Sequence, residues 1–193
     1  MKLIVGLGNP GRAYTNNRHN VGFACLNYFA RWVGIRFDNR ESLARTGTGE
    51  VGDNKIVLAR PQTFMNLSGR SVSRMVKKFN LSPDDLIVIH DEIDLLLDRI
   101  QIRGGLSSAG HKGVSSIINE LGSQNFIRIR VGIGQPTLTS DATETSEADV
   151  ATYVLSDFTP EERKIINKAI PRVSEAIYCL ITEGLTAAMN KYN

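Results

Sequence analysis

The sequence has few of the residues on which several classes of protein depend. Its 193 residues include two cysteines, three histidines and one tryptophan. No apolar run approaches the ~18 residues of a membrane span, and the N-terminus lacks the basic, apolar and small-residue succession of a signal peptide. Cys25 and Cys179 each lie in a helical apolar pattern, which favours core packing over a disulfide or a metal pair. We therefore expect a cytoplasmic protein that has no membrane partner.

The sequence also lacks three short motifs of catalytic sites. There is no G-x-S-x-G, and Ser107-Ser108 precedes a helix in a loop, so an activated serine is not indicated. There is no H-E-x-x-H or C-x-x-C, so the spacing does not indicate a metal centre. If the protein is catalytic, we expect a site without a metal that activates water directly.

The composition is that of an ordinary globular protein, with 41% hydrophobic and 22% charged residues. A chain of this length can bury a sizeable core, so we expect residues 1–193 to form a single domain. The net charge of +3 predicts no partner, but residues 1–80 carry 13 Lys and Arg against 4 Asp and Glu, whereas residues 81–193 carry 10 against 16. This asymmetry suggests that a polyanion docks on one face, although helix surfaces often segregate charge without a function.

Strand and helix patterns alternate along the chain without a repeat. Strands are expected at residues 3–7, 35–37, 43–51, 56–59, 86–89, 99–103 and 127–133, and helices at 21–33, 72–79, 114–121 and 160–181. Asn20 is expected to cap the first helix, and Pro171 to kink the last. Residues 137–149 are rich in Thr, Ser, Asp and Glu and are expected to form a flexible surface loop. The pattern predicts an α/β fold, with a twisted mixed β-sheet and helices on both faces.

A glycine-rich turn follows the first predicted strand. Gly6, Gly8 and Gly11 satisfy G-x-G-x-x-G, which in some proteins binds a dinucleotide, so an oxidoreductase is one alternative. The apolar helical pattern waits until Val21, however, whereas a dinucleotide-binding helix opens inside the motif. We therefore interpret the glycines as a turn that presents Asn9 at the end of the strand.

The three histidines lie in polar segments rather than in apolar periodic ones. His19 precedes a predicted helix, and His111 lies in a glycine-rich loop. His90 and Asp91 follow a continuous apolar run, at the carboxyl end of a predicted strand, where α/β sheets bind ligands. Individually each histidine fits a capping or packing role as well as a functional one.

A histidine paired with a carboxylate is the minimal general base, because the carboxylate orients the ring and stabilises the imidazolium. His19 and Asp91 are the candidate pair. The amides of Asn9 and Asn66 are candidate donors to a developing oxyanion. Together with His90 and His111, these residues predict a polar site assembled from separate segments.

Motifs along nearly the whole chain resemble the bacterial peptidyl-tRNA hydrolase family. They are KLIVGLGNPG at 2–11, Tyr14, RHNVG at 18–22, PQTFMNLSG at 61–69, HDEIDL at 90–95, Gly110-His111, RIRVGIG at 128–134, YVL at 153–155 and EGL at 183–185. The resemblance implies a monomeric cytoplasmic enzyme without a cofactor or an obligatory protein partner. Such an enzyme cleaves the ester that joins a peptide to the terminal ribose of tRNA, and it contacts the acceptor stem and the CCA end.

The resemblance also implies roles for individual residues. His19 is similar to the catalytic base and Asp91 to the carboxylate that orients it. Asn9 is similar to the residue that distinguishes N-blocked from free aminoacyl groups. Tyr14, Phe64 and Asn66 match substrate-contacting positions, and Arg103 and Arg130 match basic positions near the acceptor stem.

The chain departs from the family pattern at Lys112, where the family usually has asparagine. Lysine is a cationic donor that cannot accept a hydrogen bond. Three alternatives follow. Lys112 binds a phosphate or the oxyanion, or it points into solvent and a water molecule takes the place of the asparagine amide, or the substitution lowers activity. The departure also keeps open a non-catalytic RNA-binding relative of the family. A second departure, LLLD at 95–98 where the family has Pro and Gly, affects only the expected shape of a turn.

Overall fold

The computed structural model describes residues 1–136 and 146–193, which contain seven strands and six α-helices. The strands are β1 (Lys2–Gly6), β2 (Asn39–Glu41), β3 (Ala44–Val51), β4 (Asn54–Pro61), β5 (Leu86–Glu92), β6 (Ile100–Gly104) and β7 (Ile127–Gly132). The helices are α1 (Val21–Trp32), α2 (Ser68–Lys78), α3 (Lys112–Leu121), α4 (Glu147–Val154), α5 (Pro160–Thr182) and α6 (Leu185–Tyr192). None of the helices in the described ranges is long and apolar enough to cross a membrane.

The strands form one mixed sheet in the order β2-β3-β4-β1-β5-β7-β6. Its four central strands, β4, β1, β5 and β7, run parallel, whereas β2, β3 and β6 are antiparallel to their neighbours. The carboxyl ends of the central strands therefore meet at one edge of the sheet, where ligand sites of α/β proteins form.

Helices cover both faces of the sheet and enclose two apolar cores. One core contains Leu26 and Phe29 of α1 and Ile177 of α5, packed against one face of the sheet. The other contains Val72 of α2 and Val114 of α3, packed against the opposite face. The predicted α/β architecture, with a mixed sheet between two helical layers, is confirmed.

One predicted strand is wrong. Residues 35–37 do not pair at the sheet edge, and β2 begins at Asn39 instead. A side chain on Gly47 or Gly49 of β3 would collide with Ile35, since a Cβ atom would come within 2.8 Å and 2.6 Å of its carbon atoms. The apolar residues of this segment are therefore explained by packing across the face of the sheet.

Strand β5 extends beyond its predicted end at residue 89. His90, Asp91 and Glu92 pair in register with Arg130, Val131 and Gly132 of β7, and all three are buried. Their polarity suggested the end of the strand, but their side chains have partners inside the protein. These three residues are therefore the last residues of β5, paired with β7, rather than a loop that follows the strand.

The C-terminal part of the chain differs from the prediction at two further places. A flexible loop was expected at 137–149, of which residues 137–145 lie outside the described residues. The end of this segment is helical instead, because α4 begins at Glu147 and Ser146 and Asp149 form a capping box at its start. Helix α6 has no strong apolar period and was not predicted; only Ala188 and Tyr192 are buried in it. Helix α5 begins at Pro160 as expected and continues through Pro171 to Thr182.

Candidate active site

The glycines after β1 let α1 approach the strand closely. A Cβ atom on Gly6 would lie 2.4 Å from the carbonyl oxygen of Gly22, and one on Gly8 would lie 2.7 Å from the ring of Phe23. Both contacts are much closer than side chains tolerate. The glycines therefore have a packing role, which brings the first turn of α1 and the residues before it against the end of β1.

The side-chain amide of Asn20 binds the backbone of Asn9 through two hydrogen bonds. The backbone N–H of Asn9 donates to Asn20 Oδ1 at 2.8 Å, and Asn20 Nδ2 donates to the Asn9 carbonyl at 3.0 Å. Asn20 precedes α1 as expected, but its side chain makes no capping hydrogen bond, because both of its amide atoms are used on Asn9. Asn20 therefore occupies the N-cap position as expected, but its side chain binds Asn9 rather than the first N–H groups of the helix.

The side chain of Asn9 joins a third segment. Its Oδ1 accepts a hydrogen bond from the backbone N–H of Met65 at 2.8 Å. Its Nδ2 group makes no hydrogen bond with a described residue. The oxygen is thus committed to the fold, and the donor group remains for a ligand.

His19 and Asp91, the candidate pair, lie in direct contact. His19 Nδ1 lies 2.8 Å from Asp91 Oδ1. Since a carboxylate only accepts, Nδ1 carries the proton, and the Nε2 atom of the neutral ring is the basic nitrogen. Nε2 has no hydrogen-bond partner in the described part of the chain and is not closed off from solvent. The side chain of His19 is 10% exposed, so the site combines burial with one accessible nitrogen.

His111 donates to the same carboxylate. Its Nδ1 atom accepts from the backbone N–H groups of Gly113 at 3.1 Å and Val114 at 3.2 Å, in the first turn of α3. Its Nε2–H group therefore donates to Asp91 Oδ1 at 2.9 Å. His111 was expected to be either a capping residue or part of a polar site, and it is both the N-cap of α3 and a partner of Asp91. Its position just before an apolar helical pattern was the signal for an N-cap, and the cap fixes the tautomer.

The environment of Asp91 keeps it charged. Burial by itself raises the pKa of Asp91, but its electrostatic interactions and hydrogen bonds with the rings of His19 and His111 outweigh it and hold the pKa well below its ordinary value. Burial lowers the pKa of His90 well below its ordinary value, and the electrostatic interaction with His111 acts in the same direction. Asp91 is therefore a carboxylate, and His90 a neutral ring, at neutral pH.

The three residues around Asp91 also have the donor atoms of a metal site. Ligand atoms of His19, Asp91 and His111 lie within 4.8 Å of one another. Both imidazole nitrogens in this group carry the protons that they donate to Asp91. A divalent cation would have to displace both protons, so in the geometry shown the trio is a hydrogen-bonded network around a carboxylate.

Four side chains that the sequence analysis expects to contact substrate follow β1 or β4 or begin α3. The rings of Tyr14 and Phe64 meet edge to face at 6.4 Å, and Phe64 is 54% exposed. Asn66 is exposed one residue after Met65, which is bound to Asn9. Lys112 is exposed as the first residue of α3, directly after His111. The structure brings these four residues to the same end of the sheet as His19 and Asp91.

Arg103 and Arg130 lie on the far side of Asp91, on β6 and β7. Arg130 Nε donates to Glu92 Oε2 at 2.8 Å, and its guanidinium also contacts Gln101. Arg103 is exposed and forms no ion pair with a described residue. The charge of Arg130 is therefore largely compensated within the protein, whereas that of Arg103 is not.

These observations define a class of site. A buried carboxylate orients one histidine, whose other nitrogen is open to solvent, and an amide donor lies on the adjoining turn. This is the arrangement with which hydrolases activate a nucleophile through general-base catalysis.

Comparisons with known proteins give the family. The family model for peptidyl-tRNA hydrolase matches residues 3–193. A relative named peptidyl-tRNA hydrolase from Dehalococcoides mccartyi is 50% identical over 193 residues, covering all of both chains, and one from Chloroflexus aggregans is 40% identical, covering 100% of this chain and 99% of its own. The crystal structure of peptidyl-tRNA hydrolase from Acinetobacter baumannii superposes with a TM-score of 0.91 at 31% identity, covering 100% of this chain and 96% of that one. The chain belongs to the peptidyl-tRNA hydrolase family, and the resemblance noted from its motifs is confirmed.

Proposed function

We propose that this protein hydrolyses the ester between a peptide, or an N-blocked aminoacyl group, and the terminal ribose of tRNA, which recycles tRNA from prematurely released peptidyl-tRNA. The contact between His19 Nδ1 and Asp91 Oδ1 carries the proposal, because it leaves the basic Nε2 atom open to solvent. The names of the relatives across the full length of the chain support the same activity.

His19 is proposed to act as the general base. Its Nε2 atom takes a proton from water while the water oxygen attacks the ester carbonyl carbon, and Asp91 stabilises the imidazolium that forms. The tetrahedral intermediate then collapses as its bond to the ribose oxygen breaks, and the imidazolium returns the proton to that oxygen. His19 ends neutral, and the products are a free peptide carboxyl group and tRNA.

Asn9 is proposed to read the peptide side of the ester. Its oxygen is occupied by the Met65 N–H group, so the side chain offers only its Nδ2 donor to the substrate. A carbonyl oxygen accepts from such a donor, whereas a free ammonium group does not. This polarity supports the role of Asn9 in distinguishing N-blocked from free aminoacyl groups. Tyr14, Phe64 and Asn66 are the proposed contacts for the rest of the acyl group.

Arg103 and Arg130 are proposed to contact the acceptor stem of tRNA, and Lys112 the CCA end. Since one enzyme must accept many tRNAs, these contacts are expected to read phosphate and shape rather than base sequence. Lys112 is exposed next to His111, which fits contact with a phosphate or the oxyanion better than burial in the core. Sharp discrimination among elongator tRNAs would contradict this part of the proposal.

We also propose, from the family resemblance, that the protein works in the cytoplasm as a monomer, without a cofactor or an obligatory protein partner. Light scattering of the purified protein at micromolar concentration tests its oligomeric state. A single species of about twice the mass of the chain would overturn the monomer.

The alternative of a non-catalytic RNA-binding relative is not favoured, because the full-length relatives are named as hydrolases and the His19–Asp91 pair is in place. Incubation of the purified protein with N-acetyl-aminoacyl-tRNA separates the two. Release of the acyl group, with free aminoacyl-tRNA as a poor substrate in parallel, supports the hydrolase. Retention of the RNA with an intact ester would support the binder.

A further inference from the structure

A buried arginine lies between the two arginines that are proposed to contact tRNA. Arg128 of β7 pairs in register with Arg103 of β6 and precedes Arg130 by two residues, so the three side chains project from the same face of the sheet. Arg103 is exposed and Arg130 is partly exposed, whereas Arg128 is only 2% exposed. Arg128 is therefore covered by the protein, unlike its two neighbours.

The charge of Arg128 is poorly compensated where it lies. Its side chain forms no ion pair with a described residue, and its Nε and Nη2 atoms are buried without a hydrogen-bond partner among those residues. Burial lowers the pKa of Arg128, and the charge of Arg130 lowers it further. A buried cation without a partner destabilises a fold compared with an apolar side chain of similar volume. Packing alone therefore does not explain an arginine at this position.

The one hydrogen bond that the Arg128 side chain makes with a described residue reaches the loop between β6 and α3. Its Nη1 group donates to the carbonyl oxygen of Ser107 at 2.7 Å. The loop, residues 105–111, is exposed over most of its length, and at its start the Gly105 N–H group donates to the carbonyl oxygen of Phe126 at 3.4 Å. Arg128 therefore holds the middle of an exposed loop from its buried side.

The same loop places the ring of His111. The backbone N–H of His111 donates to the carbonyl oxygen of Ser108 at 3.0 Å, which closes a turn directly after Ser107. Within this turn Ala109 has a φ of 45°, a conformation that a residue with a Cβ atom keeps only where other contacts hold it. The turn ends at His111, whose Nε2–H group donates to Asp91. A contact that fixes Ser107 thus affects the ring that binds Asp91.

We propose that Arg128 is a positioning residue, which acts through the carbonyl group of Ser107 on His111 and thereby on the carboxylate of Asp91. The inference rests on the proposed function, in which Asp91 orients the general base His19. Without the Arg128 side chain the loop loses its buried anchor, and the hydrogen bond from His111 to Asp91 loosens. Asp91 then directs more of its charge to His19. Arg128 itself contacts no substrate in this role.

The test compares Arg128→Met, which removes the donors from a side chain of similar length, with Arg128→Lys, which keeps a donor for Ser107. Arg172→Met removes an exposed charge from α5 and is the matched control. Arg128→Met should unfold at the same urea concentration as the wild type or a higher one, because it removes a poorly compensated buried charge. Its kcat for N-acetyl-aminoacyl-tRNA should fall by about threefold to tenfold, and Arg128→Lys should recover part of the loss.

The pH profile of kcat/KM separates positioning from a purely structural role. With one donor fewer, Asp91 stabilises an imidazolium at His19 more strongly, so the acidic limb should move to higher pH by about half a unit in Arg128→Met. His111→Ala should move it in the same direction. The titratable rings and carboxylate in contact around His19 are those of Asp91, His111 and His90, and all of them remain in Arg128→Met. An unmoved limb with a lowered stability would overturn the proposal.

A measurement without hydrolysis keeps this inference separate from the proposed function. The Nε2–H proton of His111, bound to Asp91, should give a signal in a nitrogen-edited NMR spectrum of the free protein, assigned by its absence in His111→Ala. The signal should broaden or vanish in Arg128→Met. An unchanged signal would overturn the inference, and so would a loss of tRNA affinity with an unmoved acidic limb, which would make Arg128 a direct phosphate contact. A signal that depends on Arg128 in a protein that cleaves no ester would refute the proposed function but not this link.

Discussion

Two buried polar clusters adjoin at residues 18 and 19 and differ in what their hydrogen bonds leave free. In the first, the terminal nitrogens of Arg18 contact Glu162 at 2.5 Å, Ser156 at 2.6 Å and the carbonyl oxygen of Asp157 at 2.6 Å. Its guanidinium also lies 4.2 Å from the ring centroid of Tyr153. This cluster ties the turn before α1 to α4 and α5.

In the second cluster, His19 and His111 both donate to Asp91, yet Nε2 of His19 stays open. Both clusters are buried around charge, so burial alone does not separate structure from chemistry. The terminal nitrogens of Arg18 are used within the fold, whereas His19 keeps one nitrogen for a ligand. Substitutions at these neighbouring residues should therefore affect different quantities, stability at one and turnover at the other.

The largest effect is expected from His19→Ala. Removing the proposed general base should lower kcat by about 10²-fold or more, because alanine has no nitrogen to take the proton from water. Affinity for deacylated tRNA should be retained. Single-turnover hydrolysis of N-acetyl-aminoacyl-tRNA measures the effect, and near-normal hydrolysis would reject His19 as the base.

Asp91→Asn should have the next largest effect on turnover. An amide accepts from one histidine but carries no charge to stabilise the imidazolium, so kcat should fall by about 10- to 100-fold. His111→Asn is the matched comparison, since it changes a donor to Asp91 and keeps His19 intact. If His111→Asn costs more turnover than Asp91→Asn, the assignment of the orienting group is wrong.

Arg18→Leu should lower stability more than turnover. It removes the ion pair with Glu162 and the hydrogen bond to the Asp157 carbonyl oxygen. The free energy of unfolding should therefore fall by about 2 kcal/mol. Urea denaturation measures this, with Arg172→Leu as the exposed control. A loss of turnover as large as that of His19→Ala, in a protein of normal stability, would erase the distinction between the clusters.

His90 gives a smaller effect that depends on pH. Because its folded pKa lies well below the ordinary value of 6.5, the unfolded chain binds more protons below that pH, and stability should fall as the pH drops through about 6.5. Asp91 contributes in a lower range, since its pKa is held below 3.8. His90→Asn should therefore flatten the fall in melting temperature between pH 7 and pH 5. An equally steep fall in the variant would assign the effect to other groups.

The smallest effect is expected at Lys112. If its ammonium binds a phosphate or the oxyanion, Lys112→Ala should lower kcat/KM by about 3- to 10-fold, and Lys112→Asn should recover part of the loss because an amide also donates. Steady-state kinetics at two salt concentrations measure both variants. Wild-type activity in Lys112→Ala would show that the ammonium has no role.

Local patterns predicted most helices and strands, because their apolar periods are long and their ends carry strong signals, such as Thr159-Pro160 before α5. The segment at 35–37 was assigned wrongly because an apolar residue that packs across a sheet face has the same period as one within a strand. His19 and Asp91 were paired in advance through residue chemistry and the family resemblance. The tautomer of His111 was not, because it depends on the hydrogen bonds at the start of α3.

The alignment of three arginines across β2, β3 and β4 was beyond sequence reasoning for a similar reason. Arg40, Arg45 and Arg60 are unremarkable along the chain, and only the strand register aligns them. A shift of one residue in either pairing would turn adjacent arginines to opposite faces. Charge asymmetry indicated that residues 1–80 are basic, but not that three cations share one line.

The two hydrogen bonds between the Asn20 side chain and the Asn9 backbone have a consequence for the energetics of turnover. These bonds join the two ends of the segment 9–20. The hydrogen bond from the Met65 N–H group to Asn9 Oδ1 joins the same segment to the loop after β4. The turn that presents His19 thus takes its shape before any ligand arrives. Binding free energy is then not consumed in ordering this loop, and an incoming ester meets its base already aligned.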